Sequence, residues 1–417
     1  MSLRARAIEA YLNAQPLNHR WHRLRRRAAR RPRVVRFYHQ VDDPQSQLLL
    51  RALQRLRIEG VAVTSSRKSA PAASSALHVQ LIAVPEPAAE VDPEPELRAN
   101  YRWRDGARMA EAFDLPLPSG KRERTPDRLR RAYAVLLGGE SDDALAMAGD
   151  VGDALLGEAS LTDCVSRYGA APGHAIRPAL EANYTSLRQA GHYEGGTLHF
   201  EGDWYPGVGR LAFLLERLTA EGLRVESPTY RIEAQPSKLR GGLRVYFSFR
   251  SPYSYLAIDQ LVDAPLRPAL RPVLPMVMRG LQVPAAKARF LAKDAAREAK
   301  RLSIPFGRIA DPLGEGVERA LAVFFAAESI GSEWRFAHAA MRAIWSEGRE
   351  LSGDALYAIA DVADLSRAQV DASLADDTWR NRVEAHRSEL RAAGLYGVPS
   401  FLGPNVALWG QDRIGWI

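Results

Sequence analysis

The feature that most limits what this chain can fold into is an internal repeat. A shift of 203 residues lays Arg177, Glu181, Ala182, Leu187, Arg188, Ala190, Gly191, Tyr193, Gly207 and Arg210 onto Arg380, Glu384, Ala385, Leu390, Arg391, Ala393, Gly394, Tyr396, Gly410 and Arg413. These ten identities fall within 34 ungapped positions. Near the start of each copy a shift of 208 places Asp43-Pro44-Gln45-Ser46 on Ser251-Pro252-Tyr253-Ser254, and Tyr38 on Tyr246. A period of about 205 residues is far longer than a solenoid repeat, so each copy must close its own core. The length of 417 residues agrees, being too great for one ordinary core.

Both copies follow one plan: a βα unit, a second strand, a helical stretch, a β-hairpin and a closing helix. In the first copy Val34–Val41 reads as a strand and Ser46–Leu56 as an amphipathic helix, with Leu77–Val84 as the second strand. In the second, Tyr246–Phe249 reads as a short buried strand, and Leu266–Val273 as its partner. Helices are expected over Ala285–Leu302, Val317–Ser329, Trp334–Glu347 and Arg380–Ala393, with Phe324, Phe325, Trp334, Phe336 and Trp345 as core. Ser65–Ser75 and Pro85–Glu96 read as surface loops or disorder. Leu223–Gly241, punctuated by Pro228, Pro236 and Gly241-Gly242, reads as the linker.

At Ser251-Pro252-Tyr253-Ser254 a strand feeds straight into a helix. Ser251 suits the N-cap, and Pro252 falls where a missing N–H costs nothing. From the residues alone, Ser251 is either a cap and no more or a hydroxyl held at the positive end of a helix, ready for an anion. The string Phe247-Ser248-Phe249-Arg250-Ser251-Pro252-Tyr253-Ser254-Tyr255-Leu256-Ala257 resembles the active-site strand, turn and helix of the 2-hydroxychromene-2-carboxylate isomerase and kappa-class glutathione transferase family. Tyr396-Gly397-Val398-Pro399-Ser400-Phe401 and Trp409-Gly410-Gln411-Asp412-Arg413 resemble two further segments of it, in the right order. The resemblance spans about Gly242 to the C-terminus.

That resemblance implies an α/β fold of two tandem thioredoxin-like domains, each with a helical insertion. The divisions expected are a basic arm over 1–33, a degenerate domain over 34–222, the linker over 223–241 and an isomerase- or transferase-like domain over 242–417. It implies glutathione as cofactor, with Ser251 stabilising its thiolate, and a small-molecule electrophile of aromatic or enone-like acid type as substrate. Pro399 would follow a cis bond, freeing the Val398 backbone for an extended peptide, while Gln411 and Asp412 would receive the γ-glutamyl end. Arg279 stands where the family has a lysine, and the family's neighbouring asparagine has no counterpart in 275–283. Arg413 recurs as Arg210, which fits a structural role equally well. An internal pseudo-dimer or a homodimer is implied as well. The alternative is a binding or scaffold protein that kept the fold without the chemistry.

The first copy lacks the same equipment. Asp43 sits where Ser251 does, and a carboxylate repels a thiolate. Gly196 replaces Pro399. A structural role is expected for it.

Composition narrows the rest. A hydrophobic content of 46% with 25% charged residues is that of a globular protein. No run of eighteen apolar residues is present to span a bilayer, and the first thirty residues lack a signal-like apolar core. The one cysteine, Cys164, excludes a CxxC couple within the chain and suits a reducing cytoplasm. No histidine pair stands at metal-ligand spacing beside a Cys or Glu motif, so no metal is expected. Ser251 with a distant His338 or His386 lacks the Gly-x-Ser-x-Gly elbow of a hydrolase. Residues 1–33 carry ten arginines and one glutamate, a local +9. The whole chain is +8, which leaves −1 for everything after them. An acidic membrane surface, nucleic acid, an acidic partner or plain solvation of an extension would each account for such an arm, though no recognised nucleic-acid motif follows it.

Overall fold

The computed structural model describes residues 3–67, 77–118, 125–233, 241–265, 267–281 and 283–417. They form two compact units, one of Leu17–Arg231 and one of Met1–Pro16 with Ile232–Ile417. Two helices open the chain, α1 (Leu3–Asn13) and α2 (Gln15–Ala28). The division falls at Pro16/Leu17, within the first turn of α2.

The Leu17–Arg231 unit is built on β1 (Arg33–His39), α3 (Pro44–Gln54), β2 (Arg57–Ile58), β3 (Val63–Ser66) and β4 (Leu77–Ala83). Helices α4 (Pro95–Ala112), α5 (Pro126–Gly138), α6 (Ala144–Leu156), α7 (Leu161–Tyr168) and α8 (Gly173–Gln189) follow. The hairpin β5 (Thr197–Phe200) and β6 (Asp203–Pro206), α9 (Gly207–Ala220) and β7 (Val225–Glu226) complete it. Its sheet runs β3-β4-β1-β5-β6, with β1 parallel to β4 and antiparallel to β5. Helix α3 is buried from Pro44 to Leu53, because α4, α6 and α9 all pack on it. Two expectations are corrected here. Ser65 and Ser66 are not loop but part of edge strand β3, paired in parallel with β4; residues 68–75 of that stretch lie outside the described residues. Val225–Glu226 is not free linker either, since it pairs with β2.

The second unit repeats four of those strands. β8 (Arg244–Phe247), α10 (Pro252–Leu261) and β9 (Ala269–Pro272) come first. Then follow α11 (Ala285–Leu302), α12 (Glu315–Ser329), α13 (Glu333–Arg342), a π-helical turn over Ala343–Glu347, α14 (Gly353–Asp361), α15 (Arg367–Leu374) and α16 (Trp379–Ala392). The hairpin β10 (Ser400–Gly403) and β11 (Val406–Trp409) closes the sheet, ordered β11-β10-β8-β9. Parallel β8–β9 and antiparallel β8–β10 match β1–β4 and β1–β5. The chain ends on a 3-10 turn, Gln411–Trp416, where the first unit has the long α9. Phe324, Phe325, Trp334, Phe336 and Trp345 are all buried in one core with Phe247, Phe249 and Phe401. Helix α1 joins this core through Leu12, and its Glu9 pairs with Arg308 at 2.9 Å.

His39, at the end of β1, is fully buried, with Nδ1 2.8 Å from Ser46 Oγ. Burial, reinforced by the charge of Arg51, lowers its pKa from 6.5 to about 3. The folded state thus keeps it neutral while the unfolded chain takes up a proton, so stability is lost as pH falls from about 6.5 toward about 3. Between pH 7 and pH 5 the loss is about 2 kcal/mol. Urea unfolding at the two pH values should show a slope smaller by about one proton in His39→Gln; equal slopes in both proteins would contradict this.

Candidate active site

The turn that starts α10 is built by hydrogen bonds close in sequence. The Ser251 N–H donates to Ser248 O at 2.9 Å, and the Ser248 N–H donates to Ser254 Oγ at 3.3 Å. Ser251 has extended backbone angles, and its Oγ accepts the Ser254 N–H at 3.2 Å, so it is the N-cap. Pro252 occupies the first helical position, and the first turn holds no acidic side chain. The positive end of the helix is therefore uncompensated by α10 itself.

Across from this turn stands Val398-Pro399, joined by a cis peptide bond. The Ser251 hydroxyl donates to Val398 O at 3.5 Å, which is long for such a bond. A hydroxyl so weakly held is easily redirected. Pro399 O accepts the Gly410 N–H at 2.9 Å, tying the Gln411–Trp416 turn to the same loop. Ser251, Val398 and Pro399 are thus brought together.

The other candidates are placed differently. Gln411 is buried, its Nε2 donating to Glu298 Oε2 at 3.2 Å and its Oε1 lying 3.4 Å from Gln260 Nε2. Asp412 is half-buried and pairs with Arg413 at 3.0 Å. Arg413 also lies over Trp416, 5.2 Å from the ring centroid. Arg279 ends the 3-10 turn Met276–Arg279, where its charge is felt by Glu384 of α16. His338 pairs with Asp259 at 2.8 Å, and His386 Nδ1 faces Pro272 O at 3.0 Å. Neither histidine is hydrogen-bonded to Ser251.

Three groups next to Ser251 escaped the sequence reading. Arg250 forms a two-pronged pair with Asp311 at 2.7 and 2.8 Å, pinning the 306–312 loop to the turn. Burial pushes the Asp311 carboxyl up, but Arg250 and the Leu313 N–H together hold it below the usual range. Tyr253 donates to buried Asp294 of α11 at 2.7 Å. The Ser248 hydroxyl is buried with no partner among the described residues. Asp311 and Asp294 lie 61 and 41 residues from their partners, beyond any local pattern.

The corresponding place in the first unit is shut. Asp43 caps α3, accepting the N–H groups of Gln45 and Ser46 at 3.3 and 3.2 Å. Arg102 of α4 grips both of its oxygens, one at 2.7 Å. At Gly196 an added Cβ would stand 3.1 Å from Asp43 Oδ2. Matched hydrogen bonds nevertheless recur. Ser46 Oγ accepts from Gln40 N–H as Ser254 Oγ does from Ser248 N–H, and Gly207 N–H donates to Gly196 O at 2.8 Å as Gly410 N–H does to Pro399 O.

Among the described residues no cluster of His, Cys, Asp and Glu is arranged to hold a metal, and no helix is long and apolar enough to cross a membrane. Cys164 is buried on α7, with burial raising its pKa.

A search of curated proteins found no match. Among solved structures, 2-hydroxychromene-2-carboxylate isomerase is similar at 22% identity, covering 41% of this chain and 90% of that chain with a TM-score of 0.36. The cytosolic disulfide reductase DsbM from Pseudomonas aeruginosa is similar at 18% identity, covering 42% and 91% with a TM-score of 0.34. The same reductase with GSH covers 42% and 92% at 18% identity and a TM-score of 0.31. The family model for the DSBA-like thioredoxin domain matches residues 243–415. Residues 243–415 are therefore a DSBA-like thioredoxin domain.

Proposed function

We propose that this domain is a glutathione-dependent isomerase or transferase acting on an aromatic or enone-like organic acid, with Ser251 as the group that holds the thiolate. One observation carries the reading: the Ser251 hydroxyl stands at the start of α10, loosely held on Val398 O and free of neighbouring acids in the first turn. Glutathione, when bound, supplies a nucleophilic sulfur. Ser251 has no sulfur of its own to exchange, but its proton can turn from Val398 O to an anion. Raising the ionisation constant of a thiol about a hundredfold takes roughly 2.7 kcal/mol. A hydrogen bond to a charged acceptor contributes about 1.5–3 kcal/mol, and a helix N-terminus about 0.3–1 kcal/mol. Together they suffice. The Val398 N–H and C=O would pair with the tripeptide backbone as an added strand does. Asp412 would take the α-ammonium by leaving Arg413, while Arg279 and Gln411 would complete the anchor.

A non-catalytic binding role is the second reading. It is favoured by Gln411, whose amide is already satisfied inside the protein by Glu298 and Gln260. Calorimetric titration of the full chain separates the two. Glutathione should bind the wild type and lose about tenfold or more in affinity in Ser251→Ala. S-methylglutathione, which has no ionisable sulfur, should bind both proteins equally. Absence of glutathione binding at millimolar concentration would leave the second reading standing.

We also infer that the two units arose by tandem duplication, supported by the ungapped repeat and the matched hydrogen bonds. The first copy would then be a structural domain, its anion position filled by Asp43 and Arg102.

A further inference from the structure

Helix α2 lies on the Leu17–Arg231 unit the wrong way round for an ordinary surface helix. Its packed face is polar. His19 bonds Asp203, Arg26 bonds Glu201 and Glu221, and Arg23 donates to Ala220 O at 3.3 Å. His22 sits against Gly202, and burial lowers its pKa. At about 100° per residue these four positions share one side of the helix. Leu17, Trp21 and Leu24 share the opposite side, exposed by 64%, 56% and 65%. The normal arrangement places such a stripe inward.

Arginines border the stripe. Arg20 and Arg27 flank one edge and Arg25 the other, its guanidinium 5.2 Å from the Trp21 ring centroid. Among the described residues none of the three has an ion pair. An apolar centre edged by cations is the pattern of a helix lying in the plane of a membrane surface, its Leu and Trp at the acyl boundary and its arginines among the lipid phosphates. Nucleic acid would reward arginines at the centre of the face and give Leu17 and Leu24 nothing to bury.

We propose that α2 docks this protein on anionic phospholipid membranes, with Leu17, Trp21 and Leu24 inserted and Arg20, Arg25 and Arg27 on the headgroups. The hydrogen bond of His19 and the ion pairs of Arg26 hold the helix in this orientation, with its apolar side turned outward.

Co-sedimentation of the full chain with vesicles tests the proposal. Vesicles of phosphatidylcholine mixed with phosphatidylserine should bind at least roughly tenfold more tightly than phosphatidylcholine alone, with the difference shrinking in salt. The triple variant Arg20→Gln, Arg25→Gln, Arg27→Gln should lose about fivefold per charge. Trp21→Ala with Leu24→Ala should lose about tenfold or more. All these side chains are exposed, so circular dichroism should show unchanged folding. Equal binding to both vesicle types, no binding, or full binding by the Trp21→Ala, Leu24→Ala variant would overturn the proposal. So would tighter binding to duplex DNA at the same salt that survives loss of the apolar residues. A lipid-free dimer that Leu24→Glu dissolves would assign the stripe to a second copy of the chain instead.

Discussion

Arg102→Met should destabilise the Leu17–Arg231 unit by about 3–5 kcal/mol, because it strands a buried charge. Asp43 is only 6% exposed, and Arg102 is the cation that grips both its oxygens. Two backbone N–H groups from Gln45 and Ser46 would remain, too little to hold a full charge away from water. Urea denaturation of the variant measures the loss. Adding Asp43→Ser removes the stranded charge, keeps a side chain able to cap α3, and should restore most of the stability. A cost below about 1 kcal/mol for Arg102→Met alone would show that water still reaches Asp43. The pair would then be no plug in the position that Ser251 occupies in the second unit.

Gly397→Ala is the second large effect expected, about 3 kcal/mol of destabilisation concentrated on the loop that carries Val398. Its new methyl would stand 2.1–2.4 Å from three atoms of the Trp409 indole. The ring cannot yield freely, since it packs against Tyr396 at 5.0 Å between centroids. The backbone must move instead, and with it Ser400, whose hydroxyl donates to Gly397 O at 2.7 Å. Combining Gly397→Ala with Trp409→Leu should recover much of the loss, a coupling that a double-mutant cycle reads directly. Strictly additive costs would mean that the two residues do not compete for space.

What was legible in the sequence is what local chemistry decides. Ser251-Pro252 announces a cap and a first helical turn, and the chain forms both there. The spacing of apolar residues in 285–302 sets α11 to its observed ends. The resemblance in Gly397-Val398-Pro399 pointed to a cis bond, which is present. What stayed hidden depends on partners far along the chain. Ser65 and Ser66 carry loop-like side chains, yet β4 offers their backbone a free edge. Glu9 meets Arg308 from 299 residues away, so nothing near α1 reveals where it packs. Gln411 turns inward to Glu298, buried on α11, and a one-dimensional motif carries no such direction.

The central claim is that Ser251 and the start of α10 stabilise a thiolate. The most direct measurement is the ultraviolet thiolate absorbance of glutathione bound to the full chain, followed against pH. The wild type should give a midpoint near pH ~6.5, against about 8.5 for a free thiol, and Ser251→Ala should return most of the way to the free value. A wild-type midpoint equal to that of free glutathione, or the same lowered midpoint in Ser251→Ala, would contradict the account.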